Sequence, residues 1–337
     1  MVFVTGATGI LGRIIVLELL KKGENVRAAK RPTSNLDEVK HSYSYVTEDH
    51  QYLFDKIEWI DIDFNDIHSL QSAVDGADEV YHCAAMVSFK PQDEKELYHT
   101  NIEGTKQLLY ACENSSVQKF LHVSSIAVLD GFNEKGELDE ESDFNPKIEH
   151  SAYAISKHLS EMEVWRASAE GLNTIIINPG MIIGSGNWGN SSGDIFPTFE
   201  NNNFTFSGGT SYVDVRDVAK IAVELMAKDA FGQRFILLSE NKRYAEIGKQ
   251  IRSKLNLKEA KILSKSLLNL GRIANILFGW FVPALKIISR SNIAAITNFS
   301  TISNQKIKKV IDFQFIPVSE SIDFHLNNYI NDKKLKK

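Results

Sequence analysis

Two short stretches carry residue types that could move a proton: SSIAV at 124–128 and SAYAISK at 151–157. Tyr153 and Lys157 are four apart, so on a helix they share one face. A free tyrosine has a pKa near ~10 and is a poor base at neutral pH. A neighbouring ammonium favours the phenolate and lowers that value. Tyr153 could then exchange a proton with a substrate oxygen, and a serine hydroxyl at the end of the strand before it could hold the same oxygen. A tyrosine beside a lysine is common on exposed helices, so the spacing gains weight only from the elements around it.

The chain opens MVFVTGATGILGRIIV, with glycines at Gly6, Gly9 and Gly12 after a β-branched run. Glycine turns sharply and lets a ligand approach the main chain. The residues that follow read as a helix stopped by Gly23. Strand, glycine turn and helix put a pyrophosphate on helix N-terminal amides; a plain tight turn is the alternative. The end of the second strand reads AAKRPTS, with Lys30 and Arg31 where an NAD site usually carries an acid for the ribose 2′-hydroxyl. A guanidinium matches a 2′-phosphate that a carboxylate would repel. The expected cofactor is NADP(H) rather than NAD(H), against the reading of two solvated basic residues in a turn. A positive nicotinamide ring would add to the lysine's effect on Tyr153 as hydride moves to or from the cofactor.

These motifs need a scaffold, and the first half supplies one. Strands are expected at 2–4, 25–29, 57–60, 79–83, 119–123 and 174–177, with helices at 65–75, 101–114 and 151–170. Residues 34–56 read as a surface helix pair. The alternation implies a parallel sheet with helices on both faces and ligands at the strands' carboxyl ends. The fold class is α/β: a Rossmann-type doubly wound sheet with a smaller, mixed C-terminal substrate domain. The dinucleotide domain spans 1–180, with 211–230 returning to it. The Gly-, Asn- and Ser-rich 181–210 has a composition for loops rather than core, and with 231–330 it forms the substrate domain. Residues 331–337 read as a frayed tail.

Composition narrows the classes. With 337 residues and a net charge of −5, the chain can bury a full core and shows no basic stripe for nucleic acid. Two cysteines, Cys83 and Cys112, fit a reducing, cytoplasmic setting with both thiols buried. The opening is already a βα unit, so no signal peptide is expected. His82 and His122 lie in apolar strands and read as satisfied core histidines, with no ligand spacing and so no metal. The apolar 267–288, aromatic at 276–282, could be lid, core or membrane contact. Arg272, Pro283 and Lys286 interrupt it, so no span is expected.

Read in order, TGATGILG, IDFNDIHSL, YHCAA, NIEGTKQLL, VSSIAV, YAISK, NPGMIIG and YVDVRDVA resemble an extended short-chain dehydrogenase/reductase of the NAD-dependent epimerase/dehydratase superfamily. The likeness runs from residue 1 to about 240, and VRAAKR, YHCAAMVSF and TSYVDVRDVA are most similar to the dihydroflavonol-reductase and 3β-hydroxysteroid-dehydrogenase-like branch. The resemblance implies that Gly6, Thr8, Gly9, Ile10, Leu11 and Gly12 form the diphosphate loop and that Arg31, beside Lys30, takes the 2′-phosphate. It implies that Asp63 and Phe64 contact adenine and that Ala84 and Ala85 pass beneath the ribose. Ser125 matches the catalytic serine and Tyr153 the acid/base. Lys157 matches the lysine that holds the nicotinamide ribose while lowering the tyrosine's pKa. Asn101 matches a supporting asparagine, and Pro179, Gly180 and Ile182 a turn on the nicotinamide carboxamide. A helix N-cap for Asn101 and simple packing for the alanines stay open beside those roles.

Departures from the family pattern narrow the activity. Sugar-nucleotide dehydratases carry an Asp-Glu pair after the serine, where this chain has Ile126-Ala127. Epimerases usually carry an arginine shortly before VDVRDVA, where this chain has GGTSYVDV. The resemblance therefore implies an oxidoreductase acting on a small carbonyl or alcohol compound of modest polarity. The alternatives are a sugar-nucleotide epimerase and a non-enzymatic dinucleotide sensor. It also implies a homodimer formed through the helices at 101–114 and 151–170, with Leu108, Leu109, Leu159, Met162 and Trp165 offering contact or facing their own sheet.

Overall fold

Val2–Thr5 is buried along its whole length, as a strand covered on both faces must be. The computed structural model describes residues 1–189, 191–264, 266–269 and 290–335. The first elements are β1 Val2–Thr5, α1 Ile10–Lys21, β2 Val26–Lys30, α2 Leu36–Tyr43, α3 His50–Phe54, β3 Glu58–Asp61 and α4 Ile67–Val74. There follow β4 Glu79–His82, α5 Glu94–Tyr98, α6 Gly104–Glu113, β5 Lys119–Val123, α7 Ala152–Ala169 and β6 Asn173–Pro179. Later come β7 Met181–Ile183, α8 Ile195–Asn201, β8 Phe204–Thr205, β9 Gly209–Asp214, α9 Val215–Ala227, β10 Gln233–Leu237 and β11 Glu240–Arg243. The last are α10 Tyr244–Lys254, β12 Lys261–Ile262, α11 Arg290–Thr297, α12 Gln305–Val310 and α13 Val318–Leu335.

Among the described residues the main sheet has seven strands in the order β10-β6-β5-β4-β1-β2-β3, and every pairing in it is parallel. The order reverses between β1 and β4, which opens the crevice where a doubly wound fold takes its ligand. One apolar layer joins α1 and α9 to the sheet through Leu17, Val218, Ile221 and Phe235. The other joins α4, α6 and α7 through Leu70, Leu108 and Val164. The Rossmann-type fold expected from the sequence is thus the fold observed.

The later segments depart from their expected places. Gln233–Leu237, allotted to the second domain, pairs with β6 and forms the edge of the main sheet. Its QRFIL pattern buries the last three residues, and that apolar run belongs to the first core. Gly209–Asp214 lies in a three-stranded sheet with β7 and β11. The stretch 181–209 is not all loop: α8 buries Ile195 and Phe196 in a third core with Tyr212, Ile247, Ile322 and Leu326.

The expected frayed tail is helical through Leu335. Buried Asp332 accepts hydrogen bonds from Trp188 Nε1 at 2.7 Å, from His41 Nε2 at 2.9 Å and from the Tyr45 hydroxyl. Carboxylate, indole, imidazole and phenol saturate one another there, and a solvated lysine-rich tail could not. Cys112 is buried, whereas Cys83 is only partly buried, packed against the first core. The 34–56 region is the expected helix pair, and it buries Val39 and Tyr43. The aromatic run 276–282 lies outside the described residues. Among the described residues no helix is long and apolar enough to cross a membrane.

Candidate active site

The glycine turn is built by close approach. Gly6 has φ +63° and follows β1 directly, and a Cβ there would lie 2.6 Å from the Ala84 amide nitrogen. A Cβ on Gly12 would lie 2.2 Å from the Gly6 carbonyl oxygen. Gly9 donates to that carbonyl at 2.9 Å, so the first turn of α1, with Ile10 and Leu11, sits on the glycine turn and faces the crevice. The sequence reading passed over Arg13, which is 1% exposed. Its guanidinium donates to Gly9 O at 3.2 Å, to Thr8 O and to Glu38 Oε1 at 2.8 Å. The same Glu38 oxygen accepts the Asn187 amide at 2.6 Å, so the loop after β7 is tied to the glycine turn. An arginine inside the apolar GRIIV was the available signal.

At the end of β2 the two cations differ. Lys30 Nζ is engaged by Asp61 at 2.6 Å. Arg31 is exposed; its amide bonds Ser34 Oγ at 3.1 Å, and no side chain among the described residues engages its guanidinium. Asp63 is exposed and accepts the Asn65 amide at 2.9 Å. Phe64 lies against Gly104 and 6.0 Å from the His82 ring.

Beneath the crevice runs a chain of hydrogen bonds whose directions can be counted. The Thr105 hydroxyl donates to Asn101 O at 2.6 Å, so its oxygen must accept from His82 Nε2 at 2.9 Å. His82 Nδ1 therefore accepts from the Thr5 hydroxyl at 2.7 Å, and Thr5 Oγ1 accepts from the Ala84 amide at 3.3 Å. Burial pushes His82 down to about 3, which keeps the ring neutral. His82 is thus the satisfied core histidine expected, whereas both nitrogens of buried His122 lack a partner among the described residues. Its ring faces His82 at 5.4 Å, packing rather than bonding.

Asn101 is not an N-cap. It lies within the π-helical turn His99–Glu103 between α5 and α6, a widening common at functional sites. Its side chain clasps Met86, accepting from N at 2.7 Å and donating to O at 3.0 Å. It also donates to Ser156 Oγ at 2.9 Å. The loop carrying Ala84 and Ala85 is thereby fixed to α7.

The proton-moving residues converge at the end of β5. Ser125 is 9% exposed and caps the following turn by accepting the Ala127 amide at 3.1 Å. Helix α7 starts at its Ser151 cap, which brings Tyr153 to Ser125 and buries Lys157. Lys157 Nζ donates to Val123 O at 2.8 Å, and burial pushes its ammonium down to about 8. Burial raises the Tyr153 phenol, while its hydrogen bond with Ser125 pulls it back. The upward direction differs from the lowering expected from sequence, because desolvation outweighs the Ser125 hydrogen bond and the Lys157 charge does not offset it. Phe89 meets the Tyr153 ring edge-on at 5.9 Å. Phe89 is 54% exposed, which gives the site an apolar edge; Val87, two residues before it, and Met181, next to Gly180, are also exposed. Gly180 donates to Leu237 O at 3.0 Å, and a Cβ there would strike Ser211 O at 2.6 Å. Pro179 pairs with Leu237 and Ile182 with Val213. Such a set can pass a proton to or from an oxygen held at Ser125 and Tyr153.

Sheet order, glycine turn and tyrosine–lysine helix together define a dinucleotide-dependent enzyme of Rossmann type. The chain belongs to the NAD dependent epimerase/dehydratase family, whose profile matches residues 2–237, and is an NAD(P)-dependent enzyme of the extended short-chain type. It is 31% identical over 246 residues to sterol demethylase protein B of Methylococcus capsulatus, covering 71% of this chain and 69% of that protein. It is 27% identical over 268 residues to anthocyanidin reductase of Arabidopsis thaliana, covering 72% of this chain and 77% of that one. In fold it is similar to the crystal structure of gox2253, with a TM-score of 0.82, 24% identity and 98% of both chains covered.

Proposed function

We infer that the protein is an NADP(H)-dependent oxidoreductase that interconverts a carbonyl and a secondary alcohol on a small, moderately apolar substrate. The meeting of Ser125, Tyr153 and Lys157 at the crevice end of β5 carries this reading. The glycine turn supports a diphosphate at Gly6, Thr8, Gly9, Ile10, Leu11 and Gly12, because a side chain would fill the cradle. Asp63 and Phe64 would flank the adenine, Ala84 and Ala85 the ribose, and Pro179, Gly180 and Ile182 the carboxamide. When bound, the nicotinamide supplies or accepts the hydride. Ser125 orients the substrate oxygen, Tyr153 moves its proton, Lys157 keeps a positive charge at the phenol, and Asn101 braces the helix that carries both. The exposed Phe89 against Tyr153 and the reductase names among the relatives favour this reading over epimerisation.

The test is consumption of NADPH by the purified protein with a panel of a dihydroflavonol, a 3-ketosteroid and 9,10-phenanthrenequinone. Net consumption is expected; isomerisation without net loss of NADPH would assign an epimerase instead. Because no side chain among the described residues engages the Arg31 guanidinium, NADPH should bind ~1–2 kcal/mol more tightly than NADH, the worth of a charge-assisted contact. Calorimetry on wild type and Arg31→Ala checks this: the variant should lose the preference, and equal affinities in wild type would remove the NADP(H) assignment.

A homodimer through α6 and α7 belongs to the same reading. Leu108 and Leu109 lie in their own core and Trp165 packs against it, so of the residues expected there Leu159 and Met162, 40% and 43% exposed, are left for the contact, with Tyr110 at 38% beside them on α6. Light scattering at micromolar concentration should give twice the 37.9 kDa chain mass; a mass of one chain would exclude the pairing.

A further inference from the structure

One buried acid on the catalytic helix has no part in the tyrosine–lysine motif. Glu161 lies one turn beyond Lys157 on the same face of α7 and is 1% exposed. Its Oε1 accepts from Asn178 Nδ2 at 2.7 Å. The other hydrogen of that amide goes to the Ser125 carbonyl at 3.0 Å, so both donors of Asn178 are committed. On its far side Glu161 Oε2 lies 3.7 Å from Arg234 Nη1 on β10. Arg234 in turn donates to Glu140 O at 2.6 Å and Ser142 O at 3.0 Å. A cavity of about 300 Å³ is lined by Glu161 together with Glu140, Phe144, His158, Trp165 and Arg234.

We propose that Glu161 is a positioning residue, which fixes the Ser125 main chain through Asn178 and supplies the buried counter-charge that Lys157 needs. The proposal rests on the Ser125–Tyr153–Lys157 reading. A buried charge is tolerated when it is paired and hydrogen-bonded; among the described residues Lys157 donates to a carbonyl, Val123 O, and Glu161 makes no direct ion pair with it but places its charge one helical turn away. The titratable groups around Lys157 are Glu161 and Tyr153 on its own helix, Cys83 and His82 from β4 and its end, and His122 from β5. Both histidines are driven neutral by burial, and burial holds the Cys83 thiol protonated. Glu161 is therefore the acid that can oppose the desolvation of Lys157. Burial raises the Glu161 carboxyl on balance, against hydrogen bonds from Ser124 and Asn178 and the charges of Arg234 and Lys157.

Two variants separate the two effects. Glu161→Gln keeps an acceptor for Asn178 and removes the charge; Asn178→Ala keeps the charge and releases Ser125. In protein with NADP⁺ bound and lysine labelled with ¹³C at Cε, the Lys157 resonance is assigned by its loss in Lys157→Met. Its titration midpoint should fall by ~1 pH unit in Glu161→Gln, because the ammonium has lost its counter-charge. With NADPH and 9,10-phenanthrenequinone, kcat of Asn178→Ala should fall roughly ten- to hundredfold, the scale set by misplacing a reacting group. Its NADP⁺ affinity should stay at the wild-type value. A Glu161→Gln titration superimposable on wild type, or an Asn178→Ala variant with wild-type kcat, would overturn the proposal. Either variant decides alone if the other does not fold. Turnover retained by Tyr153→Phe would overturn the underlying catalytic reading and leave the Lys157 titration as a separate result.

Discussion

Tyr153→Phe is expected to keep its fold and its dinucleotide affinity while losing about 10²-fold or more in turnover, the usual scale of general acid–base assistance. The change removes one hydroxyl at the end of a ring that Phe89 already packs edge-on, so the ring keeps its place. Ser125→Ala should lower the rate with cofactor affinity unchanged, and Lys157→Met should lower both. Burial sets Lys157 at about 8, and only the ammonium stabilises a phenolate. Turnover should therefore be present below that value and be lost as pH rises through it. The limb will belong to the coupled tyrosine–lysine pair rather than to either group. A phenylalanine variant that reduces the same substrate at the wild-type rate would end the assignment.

The largest loss of stability is expected at Asp214, which begins α9 and lies outside the proton-moving set. It is buried and accepts from Arg216 Nε at 2.9 Å and Nη2 at 2.7 Å, from Ser321 Oγ at 2.7 Å and from His325 Nε2 at 3.2 Å. Truncation to alanine strands these donors and should cost about 3–5 kcal/mol, the range for breaking a buried ion pair. Burial alone would raise the Asp214 carboxyl, but the bonds from Arg216 and His325 and their charge hold it well below the ordinary range. A depressed carboxylate contributes stability that is complete above the unfolded value near ~3.9 and is lost as pH falls below it. Urea midpoints should thus drop on acidification in wild type and change less in Asp214→Asn. Equal midpoints for wild type and Asp214→Ala near neutral pH would show that α13 is held by other contacts.

The parts legible in the sequence were those fixed by local rules. Gly6 and Gly12 announce a turn because no other residue fits it, and YAISK places its two functional groups on one face whatever packs around them. The parts that were not legible depend on partners distant in the chain. Arg13 stands inside the apolar GRIIV with nothing near it in sequence to name its partner Glu38, whose same oxygen accepts the Asn187 amide. Asn101 reads as a cap because π-helical backbone leaves no mark in local propensity. Asp332 reads as part of a charged tail until His41, Tyr45 and Trp188 are brought to it by the fold. Gln233–Leu237 was assigned to the wrong unit because a five-residue apolar strand carries no sign of which sheet will take it.

That last strand bears on how the chain comes to be assembled. β10 completes the main sheet beside β6, yet β7, α8, β8, β9 and α9 are made between the two. On a ribosome, β6 emerges with an open edge, and it keeps that edge until residues 233–237 have been synthesised. An unpaired apolar strand is the kind of surface on which nascent chains associate with one another, and a parallel partner so far along the sequence is slow to find. Arg234 arrives with that same strand, so the charge behind Glu161 is set only when the sheet closes. The protein must therefore gather its glycine turn early and finish the support of its serine late, with chaperone protection most valuable in the interval between them.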